Sequence, residues 1–144
     1  MSLAEKRALQ IAVGIGACVP VLAGVAGVFM GPAMIPGPEA LSLPLDSHFR
    51  YLSGLLLGIG LAFWTTIPAL ESKGGRFRLL CLIVFIGGLG RLCSLIALGP
   101  PGRSMLFGLA MELVVTPLFA WLQYLLETKM LKQRSLPSLD SRSF

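Results

Sequence analysis

Four long apolar runs, which together contain only two charged residues, constrain what this chain can fold into. They cover residues 8–30, 51–70, 79–98 and 104–126. A helix of about 20 apolar residues crosses a hydrocarbon core about 30 Å thick, so each run is long enough to span a membrane. Barrel strands would alternate over about ten residues, whereas these runs are continuously apolar, and this favours helices. With 55% hydrophobic and 13% charged residues, the chain is too apolar for a soluble domain of 144 residues.

The runs predict an all-α membrane protein, a four-transmembrane-helix up-down bundle with both termini cytoplasmic. We expect one transmembrane domain over residues 1–128. Residues 129–144 mix cations, serines and a proline without a sustained apolar stripe, which predicts a flexible cytoplasmic tail. The four predicted helices lie at about 8–30, 48–71, 77–98 and 104–127.

The distribution of Lys and Arg predicts how the helices are oriented. With four crossings, nine of the twelve cations fall on the side that holds both termini, and only Arg50 and Arg103 fall on the other. The positive-inside rule therefore places the termini in the cytoplasm. We expect these cations to meet membrane lipids with anionic head groups rather than nucleic acid. The first run follows two cations, as in a secretory signal, but it is longer than the usual apolar core of about 7 to 15 residues, which favours a retained helix.

Arg91 and Glu112 are the two charged residues inside the runs, and they are predicted to be partners. Arg91 lies eight residues before Gly99, and Glu112 lies nine residues after Arg103, on the other side of one short turn. At about 1.5 Å per helical residue, both lie roughly 12 to 14 Å below the same external surface. A lone charge at such a depth costs at least about 2.5 to 3.5 kcal/mol. We therefore expect an Arg91–Glu112 ion pair with a binding or structural role.

The three connections between the helices differ in length and composition. Residues 72–75 and 99–102 form tight turns, which makes the helices on either side antiparallel neighbours. Residues 31–46 combine four prolines with many apolar residues, which predicts either a lid over the external helix ends or a linker in the membrane interface. Asp46 or Ser47 is expected to cap the second helix.

Polar residues near the start of the second helix form a candidate external mouth above the ion pair. Ionisable groups in membrane spans usually face a bundle interior or a wet cavity, which favours a polar path from this mouth to the pair. The alternative is that these residues are ordinary helix caps and head-group anchors. The mouth residues are Asp46, His48, Arg50, Tyr51 and Ser53.

Small residues and prolines predict how the helices pack and bend. Gly54, Gly58 and Ala62 repeat at four-residue spacing on the second helix, and such a stripe lets backbones approach closely. Prolines inside three of the helices are expected to kink or open them, and Thr116 is placed to satisfy backbone groups freed by Pro117.

The remaining reactive side chains indicate no cofactor. Cys18, Cys81 and Cys93 are odd in number, lack a C-x-x-C spacing and lie in apolar runs, which favours packing between helices over disulfides or redox work. With a single histidine and no cluster of carboxylates, we expect no metal site.

Several short motifs lie between about Asp46 and Glu127. They are His48-Phe49-Arg50-Tyr51-Leu52-Ser53-Gly54, then Gly58, Gly60, Phe63 and Trp64, Phe77-Arg78-Leu79-Leu80, Gly87-Gly88-Leu89-Gly90-Arg91, and Glu112-Leu113 before Pro117. Together these motifs resemble an uncharacterised bacterial membrane family, the domain of unknown function 4345. The resemblance implies a small four-helix protein of the bacterial inner (plasma) membrane, similar to DoxX-like bundles, and it implies no reaction, ligand or catalytic residue.

Two functional hypotheses follow. The first is a non-enzymatic membrane protein, either an accessory subunit of a larger complex or homo-oligomer or a binder of a lipid-like small molecule, in which Arg91 and Glu112 join two helices. It is favoured because no Ser/His/Asp set, phosphate-binding loop or metal cluster is present. The alternative is a membrane enzyme or proton-coupled carrier for a small amphipathic substrate, with Glu112 as acid/base, Arg91 as its partner and His48 as a proton relay.

Overall fold

The computed structural model describes residues 3–35 and 42–135, and in these ranges every regular element is helical. The prediction of an all-α protein is confirmed. One turn of 3₁₀ helix follows each of the first two helices, at Gly31–Met34 and Ile67–Ala69. A π-helical segment, Met111–Val115, joins the last two helices without a break. The α-helices are α1 (Leu3–Met30), α2 (Leu43–Thr66), α3 (Gly74–Leu98), α4 (Arg103–Ala110) and α5 (Thr116–Ser135).

Four helical stretches within the described residues are long and apolar enough to cross a membrane, and each contains most of one predicted span. Large apolar side chains remain exposed along them, such as Ile15 and Leu22 on α1. In a membrane these side chains face hydrocarbon rather than water, so their exposure agrees with a multi-pass membrane protein. The four stretches are Ala4–Met34, Leu43–Ala69, Gly74–Leu98 and Arg103–Lys132.

Helix α2 begins earlier than its predicted start at residue 48. Its N-cap is Ser42, whose hydroxyl accepts a hydrogen bond from the backbone N–H of Leu45 at 3.4 Å. A proline in the first turn is compatible with this start, because the first helical N–H groups have no partner within the helix. The prediction that Asp46 or Ser47 caps the helix is therefore wrong. Residues 36–41, where the predicted lid or linker is centred, lie outside the described residues.

Other boundaries also differ from those predicted, and α1 begins at Leu3 rather than at about residue 8. Helix α3 begins at Gly74, so the chain turns over residues 70–73. Helix α5 continues to Ser135, beyond the predicted domain end at residue 128, and the rest of the predicted tail lies outside the described residues. The 99–102 turn is non-helical as predicted, and it begins at Gly99 with a φ of 94°, a conformation that favours glycine.

The described chain divides into two compact units, and residues Gln10–Pro68 form the first, here called the N-terminal unit. In this unit α1 packs against α2 through small residues. A Cβ atom added to Gly24 would lie 2.6 Å from the backbone nitrogen of Leu57, and one added to Gly60 would lie 2.6 Å from Val21. The predicted stripe contributes less to this contact, because a Cβ at Gly58 would meet nothing within 4 Å and one at Gly54 would lie 4.0 Å from Cγ2 of Val28.

The second, here called the C-terminal unit, comprises Met1–Leu9 and Ala69–Phe144. In its described part, α3 packs along α4, the π segment and α5, as expected for helices joined by the tight 99–102 turn. Phe77 on α3 and Leu126 on α5 are almost fully buried in the core, and Cys81 is buried beside them on α3. The candidate site lies nearer the 99–102 turn, where α3 faces α4 and the π segment.

Candidate functional site

Arg91 and Glu112 meet across the interface between α3 and the π segment. The Nε atom of Arg91 donates to Glu112 Oε2 at 3.0 Å, and Nη2 donates to Oε1 at 3.0 Å. Two parallel hydrogen bonds of this kind form the bidentate geometry that a guanidinium and a carboxylate favour. The depth count from the sequence thus identified two side chains that the structure brings together, and both oxygens of Glu112 are engaged by Arg91.

The π-helical segment sets the position of Glu112 on its helix. The backbone N–H of Thr116 donates to the carbonyl of Met111, five residues earlier, and the Thr116 hydroxyl donates to the same oxygen at 2.9 Å. Pro117 has no N–H, so it cannot form the α-helical bond to the carbonyl of Leu113. The predicted opening at Pro117 is present and takes the form of a wider turn. The Thr116 hydroxyl, however, bonds to the carbonyl of Met111 and not to that of Leu113, so its predicted use in satisfying a group freed by Pro117 is not seen. Such single π turns are frequent at functional sites.

Glycine allows α3 to approach the π segment closely. Gly88 is buried, and a Cβ atom at this position would lie 2.8 Å from Glu112 Cβ and 2.8 Å from Leu113 Cδ2. On the opposite helix, a Cβ at Gly108 would lie 4.0 Å from Arg91 Cζ, an ordinary van der Waals distance. Gly88 therefore fixes the separation across which the ion pair forms.

Met105 is a third member of the site, and the sequence reasoning missed it. The Nη1 atom of Arg91 points to the thioether sulfur of Met105, 3.1 Å away. The Arg91 side chain is 34% exposed, whereas that of Glu112 is 16% exposed. Arg91 is therefore the more exposed residue of the pair, and the third nitrogen of its guanidinium contacts a weak acceptor.

The predicted mouth residues lie in the N-terminal unit, where Arg50 organises the end of α1. Its Nε and Nη2 atoms donate to Asp46 at 2.9 and 3.1 Å, and Nη1 donates to the carbonyls of Val28 and Phe29 at 2.6 and 3.0 Å. These carbonyls belong to the last turn of α1, which has no later N–H groups in the helix to bond. Arg50, which Asp46 holds in place, thus caps α1 and joins it to α2.

The other three predicted mouth residues have different surroundings. His48 and Tyr51 are exposed. Ser53 is buried, and its hydroxyl donates to the carbonyl of Phe49 at 2.8 Å. A polar path from these residues to the ion pair stays a prediction.

A second polar cluster in the C-terminal unit was also missed by the sequence reasoning. Gln123 on α5 is fully buried, accepts from Arg78 at 2.7 Å, and donates to the carbonyl of Leu70 at 3.0 Å and to Glu127 at 3.2 Å. Arg78 also pairs with Glu127 at 2.5 Å. The sequence signal was available, because Gln123 interrupts the last apolar run and lies four residues before a carboxylate.

Beside this cluster, Lys6 pairs with Glu71 at 2.6 Å. A cavity of about 250 Å³ adjoins it. Its two carboxylates, Glu71 and Glu127, form ion pairs with Lys6 and Arg78 of the same unit. Within residues 3–35 and 42–135, no group of three or more His, Cys, Asp or Glu side chains could hold a metal ion. The cavity is thus lined by two carboxylates that are each paired with a cation. Its lining residues are Glu71, Ser72, Glu127, Met130 and Leu131.

Comparison with known proteins identifies the family but not a function. No curated protein matches the chain, and no solved structure matches it. Residues 8–123 match a family described as Domain of unknown function (DUF4345), and this range includes all of α2, α3, α4 and the π segment. Since the match covers most of the chain, including Arg91, Met105 and Glu112, the protein belongs to the DUF4345 family.

Proposed function

We propose that the protein is a non-enzymatic membrane protein that binds a lipid-like small molecule beside the Arg91–Glu112 pair. The observation that carries this proposal is the bidentate pair itself, in which both oxygens of Glu112 face the guanidinium. A general base has to bring an oxygen within about 2.6 to 3.2 Å of the proton that it removes. Because Arg91 occupies both oxygens, the geometry favours a fixed structural carboxylate over an acid/base.

Of the two residues of the pair, Arg91 is the one that can contact a ligand. Its side chain is about twice as exposed as that of Glu112, and it lies between apolar helix surfaces. A molecule that reaches this position from the bilayer has to be mostly apolar, because it travels through hydrocarbon. A lipid-like molecule with a polar end fits both requirements.

We also propose that the site lies in the external half of a bacterial inner membrane, with both termini cytoplasmic. The nine-to-two bias of cations supports this orientation. The orientation is tested with two single-cysteine variants, Ser72→Cys and Ser104→Cys, each made in a protein whose native cysteines are replaced. In the proposed orientation the two new cysteines lie on opposite sides of the membrane. A membrane-impermeant thiol reagent added to intact cells is expected to label residue 104 only, and labelling of residue 72 would reverse the orientation.

The binding proposal is tested by native mass spectrometry of protein extracted gently with its surrounding lipids. The wild type is expected to release a bound small molecule, and Arg91→Gln is expected to release far less. Arg103→Gln is the matched control, because Arg103 is exposed near the same turn and its loss removes the same charge. Absence of a bound molecule from the wild type, or equal binding by Arg91→Gln, would contradict the proposal.

A second variant distinguishes a loss of binding from a loss of folding. Exchanging the two residues, Arg91→Glu with Glu112→Arg, keeps an ion pair across the same interface but moves the guanidinium onto the π segment. We expect this double variant to fold better than Arg91→Gln, since an unpaired charge at this depth costs about 2.5 to 3.5 kcal/mol. It is nevertheless expected to bind less of the molecule than the wild type. A correctly folded Arg91→Ala protein would count against the structural part of the proposal.

A further inference from the structure

We infer that the bound molecule is an anionic amphiphile, and that an oxygen of its phosphate or carboxylate head group displaces the Met105 thioether from Arg91. This inference rests on the proposed function and adds the chemical class of the ligand. It follows from the hydrogen bonds of Arg91, from the position of Met105 along the helix, and from the flexibility of methionine.

The guanidinium of Arg91 has donor capacity that the protein does not use well. Of its five N–H groups, one on Nε and one on Nη2 go to Glu112, and Nη1 has the Met105 sulfur as its acceptor. Among the residues that the structure describes, Arg91 has no other hydrogen-bond acceptor. A thioether is a weak acceptor, whereas phosphate and carboxylate oxygens are strong acceptors that arginine binds preferentially. An oxyanion therefore satisfies Nη1 better than Met105 does.

Met105 marks the direction from which such a head group arrives. It is the third residue of α4, about 3 to 5 Å along the axis from the helix start, whereas Glu112 lies about 10 Å further along. Because Arg91 contacts both side chains, its guanidinium lies between them, and Nη1 is on the side of the turn that connects α3 to α4. A head group near the membrane surface can thus reach Nη1 while its acyl chain stays in the hydrocarbon.

The Met105 side chain is suited to moving aside. Methionine has three rotatable side-chain bonds and repacks at little cost. Its displacement breaks only one weak hydrogen bond, and the Arg91–Glu112 pair remains intact. Binding therefore does not leave Glu112 without its partner, which would carry the cost of a lone charge in the membrane.

The test uses purified protein in a neutral detergent, with dodecyl phosphate and dodecanoate as anionic probes and dodecanol as the neutral probe. Binding is measured by calorimetry and by native mass spectrometry. Met105→Leu is expected to bind the anionic probes about two- to ten-fold more tightly, because the free protein no longer has the competing hydrogen bond. Met105→Glu is expected to bind them far more weakly, since its carboxylate occupies Arg91. Met30→Leu, which changes an exposed methionine on α1, is expected to match the wild type.

Each comparison has an outcome that overturns the inference. If the wild type binds dodecanol as tightly as dodecyl phosphate, the negative charge does not contribute to binding. If Met105→Leu binds the anionic probes with the affinity of the wild type, the thioether does not compete with them. Inorganic phosphate is the control for the alkyl chain. If it binds as tightly as dodecyl phosphate, the ligand does not need an apolar chain, which contradicts an amphiphilic ligand.

The failure of this inference is distinguishable from failure of the proposed function. If the wild type carries a neutral lipid-like molecule that Arg91→Gln loses, while the anionic probes do not bind, the inference fails and the proposed function stands. If no molecule co-purifies and no probe binds, the proposed function itself fails.

Discussion

The close approach at Gly88 leads to a sharp prediction about stability. An added methyl group would lie 2.8 Å from Cβ of Glu112, whereas optimal carbon–carbon contacts are about 3.5 to 4.0 Å. Because Cβ is fixed to the backbone, α3 and the π segment have to separate by roughly 1 Å. Overpacking of this kind typically costs about 1 to 3 kcal/mol. We therefore expect Gly88→Ala to be destabilised and its Arg91–Glu112 hydrogen bonds to lengthen.

Gly87→Ala is the matched control, because a Cβ atom at Gly87 would meet nothing within 4 Å. Both substitutions gain up to about 1 kcal/mol of helix propensity, so this term cancels between them. The free energy of unfolding of each variant is measured by titration with a denaturing detergent, followed by circular dichroism. Gly88→Ala is expected to be less stable than Gly87→Ala by about 1 to 3 kcal/mol. Equal stabilities would refute the contact.

Three further predictions concern hydrogen bonds elsewhere in the chain. Gln123→Leu is expected to lose about 1 to 3 kcal/mol in the same unfolding assay, because it leaves the buried carbonyl of Leu70 without its side-chain donor; wild-type stability would contradict this. Arg50→Gln is expected to speed hydrogen exchange in the last turn of α1, as measured by mass spectrometry, and unchanged protection would show that the cap is unimportant. Thr116→Val is expected to lose about 0.5 to 1.5 kcal/mol through its bond to Met111, and no loss would exclude that role.

The sequence was most informative where fixed helix geometry acts over a short distance. The rise per residue is constant, and the turn between α3 and α4 is short, so counting from both sides of that turn was enough to pair Arg91 with Glu112. The four spans could also be predicted from the sequence, because the thickness of the bilayer sets their length and requires them to be continuously apolar.

Contacts that depend on the facing helix could not be predicted in this way. Glycine spacing selected Gly58, but the helix surface that meets α1 carries Gly60, because packing rather than spacing decides which face is covered. Met105 and Gln123 both bond to arginines of α3. Because they are uncharged, isolated charges in the apolar runs do not point to them. The predicted start of α2 is too late because a proline breaks a helix only in its interior, whereas Pro44 lies in the first turn, where no N–H is needed.

The π turn also divides the last membrane-spanning helix into two separate registers. A π turn holds about one residue more than an α turn, so residues after Val115 are rotated by about 100° relative to a continuous count of 3.6 residues per turn. A heptad or helical wheel drawn from residue 103 through to residue 132 assigns one half of this helix to the wrong side. Lipid-facing substitutions, cysteine scans and covariation maps of this segment should therefore be numbered separately for α4 and α5.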